Sequence, residues 1–161
     1  MIRPTVSADT PALLKITKET GLFLPVDLEA LDAVLSAYHE ENAAQGHRCL
    51  TDEHNGEVIG FVYYAPAAMT DRTWYLWWIV VSKQTQAKGV GSKLLKHAED
   101  AARAENGRLM MIDTSGLPTY ELTRRFYIKH GYEIAATIKD FYADHHDLVM
   151  FRKRLLPASP A

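Results

Sequence analysis

The stretch Ile79–Leu95, IVVSKQTQAKGVGSKLL, decides the fold. Three β-branched residues close an apolar run, and a polar segment follows. Two glycines, Gly89 and Gly91, stand one residue apart, and leucines then begin a helical repeat. A strand that turns through glycines into a helix is a place where bare backbone approaches a partner closely. Lys88 and Lys93 flank the glycines, and a helix start carries a partial positive charge, so the partner is read as an anion.

Working outward, the run TWYLWWIVV (Thr73–Val81) is apolar on both faces, the pattern of a central strand covered on both sides. A helix is predicted over 92–106, with Leu94, Leu95, Ala98, Ala101 and Ala102 in one stripe and Gly107 as its C-terminal cap. Leu109–Asp113 reads as the next strand, and a strand–helix–strand crossover favours parallel pairing. Upstream, a short strand is expected over 1–6. Asp9 is expected to cap a helix that Gly21 stops, and Asp27 a second one carrying Leu28, Leu31, Val34, Leu35 and Tyr38. Arg48–Asp52 and Glu57–Ala65 flank Asn55-Gly56, a hairpin signal. Downstream, Pro118 opens a helix that Gly131 ends, and strands are expected over 132–138 and 147–153. This is an α+β chain with a mixed sheet, read as one domain over 1–156 and a frayed tail over 157–161.

Composition narrows the function. The 161 residues are 47% hydrophobic and 24% charged, with a formal net charge of −2. That balance offers no broad basic field for a nucleic-acid track. Cys49, the one cysteine, can form no intramolecular disulfide and reads as a buried core residue. No signal-peptide core and no membrane-length apolar run is present, so a cytoplasmic protein without membrane or nucleic-acid partners is expected. The pair His145-His146 before Asp147 invites a metal reading. Adjacent residues of an extended segment face opposite ways, and no metal is expected.

For the anion, a P-loop fails because no Gly-Lys-Ser/Thr follows. A dinucleotide fingerprint places Asp113 at a suitable distance for a ribose, but its third glycine position holds Leu94 and the turn does not follow the strand at once. The remaining reading is Gln86-Ala87-Lys88-Gly89-Val90-Gly91, a Q/R-x-x-G-x-G/A loop between strand and helix.

Here the chain resembles the GNAT superfamily of acyl-CoA N-acyltransferases. The likeness covers most of the chain and is strongest over 74–132, where RRFYIKHGYE (Arg124–Glu133) is similar to the family's second motif. It implies a mixed central sheet with helices on both faces, and direct transfer of an acetyl group from acetyl-CoA, as co-substrate, to an amine of a small molecule or peptide. Gln86, Ala87, Lys88, Gly89, Val90, Gly91 and Ser92 would hold the pyrophosphate, with Lys88 and Lys93 screening its charge. The backbone of Ile79, Val80 and Val81 would pair with the pantetheine arm. Tyr127 matches the motif tyrosine that protonates the departing thiolate. Where many relatives place a carboxylate, this chain has Trp77 and Trp78, and Trp78 is read as lining the acceptor. Asp113, in MMIDTSG, matches an alternative base at the end of the next strand, and equally suits a cap for the turn after it. Tyr120 replaces the usual Asn. Phe141 and Tyr142, in a loop between the last strands, would wall the acceptor site together with Asp140. Many relatives form dimers, so a homodimer is open. Two other readings stay open: a non-catalytic acyl-CoA sensor, and an NAD-binding oxidoreductase.

Overall fold

The computed structural model describes residues 1–86 and 88–160. Its contacts divide the chain into two compact units, one of residues 1–65 and 77–98, the other of 66–76 and 99–161. Among the described residues there are seven strands and four α-helices: β1 (Ile2–Pro4), α1 (Thr10–Glu19), α2 (Pro25–Ala37), β2 (Arg48–His54), β3 (Glu57–Pro66), β4 (Thr73–Val81), α3 (Val90–Ala104), β5 (Leu109–Ser115), α4 (Glu121–Lys129), β6 (Glu133–Ala143) and β7 (His146–Arg154). The strand order is β1-β2-β3-β4-β5-β7-β6. No described helix is long and apolar enough to cross a membrane.

In the first unit β1, β2 and β3 are antiparallel. The β2–β3 turn has Asn55 at φ 51° and Gly56 at φ 80°, the left-handed pair that a two-residue hairpin requires. Successive residues of β3 face opposite ways, and each face finds a helix. Phe61 and Tyr63, with Cys49 and Val80, pack on Leu13, Ile16, Leu31, Leu35 and Tyr38 of α1, α2 and the turn after α2. On the other face a side chain at Gly60 would meet Leu94 at 3.0 Å and Val90 at 3.2 Å, both from α3. A buried Leu or Phe of this kind stabilises by about 1.5–3 kcal/mol.

In the second unit the first four residues of β4 run parallel to β5, Thr73 opposite Leu109 through Leu76 opposite Ile112. β5 and β6 both pair antiparallel with β7. Glu99, 4% exposed, accepts from the Lys153 ammonium at 2.8 and 3.0 Å and from the Tyr132 hydroxyl at 3.0 Å.

Several sequence expectations are corrected. Asp9 makes no cap bond to α1. Its carboxylate accepts from Arg3 at 2.7 and 2.9 Å and from the Val6 amide at 2.9 Å, closing the 3-10 turn Ser7–Asp9. Asp27 lies inside the first turn of α2 and accepts from the Leu24 amide at 2.8 Å. α3 begins at Val90, not Ser92. Its left-handed C-terminal residue is Asn106, at φ 58°. Gly107 is needed for another reason, because a Cβ there would lie 2.6 Å from the Ala102 carbonyl and 2.9 Å from the Trp74 indole. β5 runs two residues past Asp113. β6 and β7 extend to a tight turn at Asp144-His145, so Phe141 and Tyr142 lie in a strand rather than a loop.

Arg3 holds the Asp9 pKa below the usual carboxylate range, by hydrogen bonding against the opposing effect of burial. A depressed folded-state pKa means that the pair stabilises fully above the ordinary carboxylate range and loses its effect as pH falls through the folded value. Asp9→Asn should therefore cost about 2 kcal/mol at pH 7. The difference from wild type in urea denaturation should shrink below about pH 4.

Candidate active site

The sequence-predicted residues fall in both units. In the first, the last five residues of β4 lead to the glycine turn. Gly89 takes φ +79°, with nothing within 4 Å of where a Cβ would stand. Its glycine is thus demanded by backbone conformation rather than by packing. Gly91 is not in that conformation. It sits in the first turn of α3, whose amides have no acceptor within the helix, and the Lys93 amide returns to the Gly89 carbonyl at 3.0 Å. Gln86 reaches back to the Val81 carbonyl at 3.4 Å. Ala87 lies outside the described residues. Lys93 is not a free counter-charge: its ammonium pairs with buried Asp52 at 3.0 Å. A cavity of about 170 Å³ beside the turn is lined by Lys88, Gly89, Val90 and Lys93, and also by Asp52 and Glu53. Those carboxylates make it a poor seat for a second anion.

β4 changes character at Trp77. Trp77 stacks on Tyr63, with ring centroids 5.3 Å apart, while the next residue, Trp78, packs on Phe23 at 5.4 Å. Tyr63, Phe23 and Trp78 belong to one apolar cluster. Trp78 and Val80, two residues apart, face that cluster, and Trp77 lies on the alternate face. Trp78 is consumed by core packing. Trp77 is 45% exposed and is the indole that offers a surface.

The sequence reading missed what surrounds Trp77. His47 meets the Trp77 ring edge-on at 5.3 Å, and its Nδ1 lies 2.6 Å from the Tyr63 hydroxyl. Asn42 hydrogen-bonds the same hydroxyl from the π-helical turn Tyr38–Asn42. Burial pushes the Tyr63 phenol up to about 12, Asn42 acting in the opposite direction. Burial lowers the His47 pKa. The one hint in the sequence was His47 just ahead of β2, whose Cys49 falls opposite Tyr63 of β3 in the hairpin register.

In the second unit, Tyr127 is 4% exposed and packs on Phe151 at 5.5 Å and Tyr132 at 5.9 Å. Burial raises its pKa, so it is held as a phenol, and among the described residues its hydroxyl has no hydrogen-bond partner. Asp113 accepts from the Tyr75 hydroxyl at 3.4 Å. Desolvation raises its pKa, partly offset by that bond. It is a mid-strand residue and caps no turn. Phe151 pairs with Ile112, and cross-strand partners share a face, so Asp113, one residue on, points to the face opposite Tyr127. The two are not brought together.

The loop after β5 is pinned elsewhere. Arg124 donates to the Ser115 and Leu117 carbonyls, both at 2.8 Å, while Arg125 alone pairs with Glu121. His146 bonds the Ser115 hydroxyl at 2.7 Å, and Tyr142 lies against its ring at 4.7 Å. Phe141 and Tyr142 are 56% and 48% exposed. The Asp140 carboxylate closes the hairpin, accepting from the His145 amide at 2.7 Å, instead of facing a substrate. No group of three metal-ligating side chains occurs among the described residues.

The sequence matches the acetyltransferase (GNAT) family over residues 15–132. A GNAT-family structure from Desulfovibrio desulfuricans is 27% identical, with 97% of this chain and 99% of that chain covered and a TM-score of 0.92. The ribosomal-protein-alanine N-acetyltransferase of Brucella melitensis is 23% identical, with 96% and 99% covered and a TM-score of 0.76. The yncA protein of Salmonella typhimurium, solved with acetyl-CoA, is 22% identical, with 100% and 96% covered and a TM-score of 0.77. No curated protein matches the chain.

Removing Glu99 tests how far the second unit depends on its buried charge. Glu99→Ala strands the Lys153 ammonium and the Tyr132 hydroxyl. The loss should be about 3 kcal/mol, read as a lower urea midpoint, with the near-ultraviolet signal of Tyr132 weakened.

Proposed function

The chain belongs to the GNAT acetyltransferase family, and we propose that it transfers an acetyl group from acetyl-CoA directly to a primary amine. The glycine turn carries the reading. A left-handed Gly89 leads into the first turn of a 15-residue helix, which offers backbone amides to a pyrophosphate without a side chain in the way. Ile79, Val80 and Val81 would pair with the pantetheine arm, an amide there receiving the thioester carbonyl oxygen. Gln86, Ala87, Lys88, Val90 and Ser92 complete the pyrophosphate seat.

The amine nitrogen attacks the thioester carbon, the C–S bond breaks, and two proton movements accompany it. The amine loses a proton and the thiolate gains one. Asp113 is the proposed base, taking the amine proton through water. Its raised pKa strengthens it as an acceptor near neutral pH. Tyr127 is the proposed acid, and a buried phenol held protonated suits that role. Phe141 and Tyr142 remain candidates for the acceptor wall, without Asp140.

Three variants test this. Gly91→Val should abolish acetyl-CoA binding by calorimetry in a folded protein, and unchanged affinity would contradict the pyrophosphate seat. Tyr127→Phe keeps the ring packing, so acetyl-CoA affinity should hold while turnover falls on the order of 10²-fold. Asp113→Asn should lower kcat/KM most below the amine's own pKa, the deficit narrowing as pH rises. In wild type the acid limb attributable to Asp113 should lie above the ordinary carboxylate value of about 4. A non-catalytic acyl-CoA sensor would bind acetyl-CoA and release no thiol with any amine, and an oxidoreductase would instead bind NADH.

A further inference from the structure

In the second unit β5 turns Met111, Asp113 and Ser115 to one face of the sheet. Tyr75 of β4 stands opposite Met111 in the parallel register, and side chains opposite one another share a face. Tyr75 is therefore on the face of Asp113, one strand over and two residues back. Strands about 4.8 Å apart, rising about 3.3 Å per residue, put those two Cα atoms about 8 Å from each other. A serine or threonine hydroxyl could not cross that gap, and a phenol can. The Tyr75 hydroxyl reaches Asp113 Oδ1 at 3.4 Å.

The direction of this bond is fixed by chemistry. An ionised carboxylate only accepts, so the phenol donates. Burial, and then the Asp113 charge, raise the Tyr75 pKa, which keeps that proton in place across the neutral range. The bond is long, as catalytic hydrogen bonds often are before a substrate is bound. The second oxygen, Oδ2, receives no hydrogen bond from the described residues, and Asp113 is exposed, so water can reach it. The rest of the face leaves the carboxylate alone. Met150 of β7 stands opposite Asp113. Arg152, two residues further on β7, pairs with Glu133 of β6 at 3.1 Å. His146 bonds the Ser115 hydroxyl at 2.7 Å. Among the described residues, Tyr75 is the titratable side chain brought onto Asp113.

Resting on the acetyltransferase reading with Asp113 as its base, we infer that Tyr75 is the positioning residue of that base, its phenol holding Oδ1 and turning Oδ2 to the water that carries the amine proton. The amine gives a proton to that water as the water gives one of its own to Oδ2, and Tyr75 keeps its proton throughout. The same donation favours the ionised carboxylate, so its loss should make Asp113 easier to protonate.

Tyr75→Phe removes the hydroxyl and keeps the ring. The Asp113 carboxyl carbon, labelled with carbon-13 and assigned by its absence in Asp113→Asn, should titrate at higher pH in Tyr75→Phe than in wild type. This measurement needs no acceptor, and it decides the matter if neither amine below is turned over. Thiol release from acetyl-CoA, with glycinamide as the first amine probe and n-butylamine as the second, should show the acid limb of kcat/KM moving up by the same interval. On the plateau kcat should fall about threefold with KM for acetyl-CoA unchanged. A residue that only packs would move neither the titration nor the limb. An unmoved carboxyl titration overturns this inference alone. A titration that rises while the acid limb stays in place shows that Asp113 is not the base, and overturns that assignment and the inference together.

Discussion

The close approach of α3 to the sheet at Gly60 is the contact on which the first unit depends. A Cβ at Gly60 would stand 3.0 Å from both Leu94 and the Val80 carbonyl, so any larger residue forces the helix or β4 to shift. Leu94, Leu95 and Ala98 are fully buried behind that contact, and the helix start they fix is the one the glycine turn feeds. The Ser82 amide donates to the Ile59 carbonyl at 2.8 Å, and Thr85 caps the same carbonyl at 3.3 Å. The residue before Gly60 thus ties down the segment after β4. The geometry of the glycine turn is inherited from packing one strand away.

Much of this was legible because it rests on local chemistry. Asn55-Gly56 has one economical conformation, and the chain adopts it. The aromatic and β-branched run of β4 begins and ends where its pattern does. The leucine stripe of α3 marks its buried face. What escaped the sequence is tertiary in origin. Asp9 looks like a helix cap, but Arg3 from a neighbouring strand out-competes the helix amides for its carboxylate, since a charge-assisted fork is stronger than a neutral cap bond. Gly107 looks like a left-handed terminus, but Trp74 needs its missing side chain more, and Asn106 tolerates the positive φ. The polar residues of 139–147 looked like a loop, yet β6 carries a left-handed Asp140 as a bulge and continues.

The candidate site divides along the same line. Residues proposed to act through their backbone, from Ile79 to Ser92, were named by motif because glycines leave a mark in sequence. Tyr127 was named because its motif is contiguous. His47, Asn42 and Tyr63 come from three separate segments, joined by a π-helical turn and a hairpin register that no short pattern encodes. Trp77 and Trp78 are neighbours in sequence with opposite fates, one buried on Phe23 and one exposed. Strand alternation separates them, and which of the two faces meets a helix is set by the fold rather than by the pair itself.

Four titratable groups named for the candidate site share one direction. Burial raises the pKa of Tyr127, Tyr63 and Asp113 and lowers that of His47. In every case the uncharged form is favoured, because low-dielectric surroundings penalise charge of either sign. In the first unit those surroundings are built along β4 itself, where Trp77 stacks on Tyr63 and Trp78 packs on Phe23, so this apolar pair is what sets the local dielectric against charge.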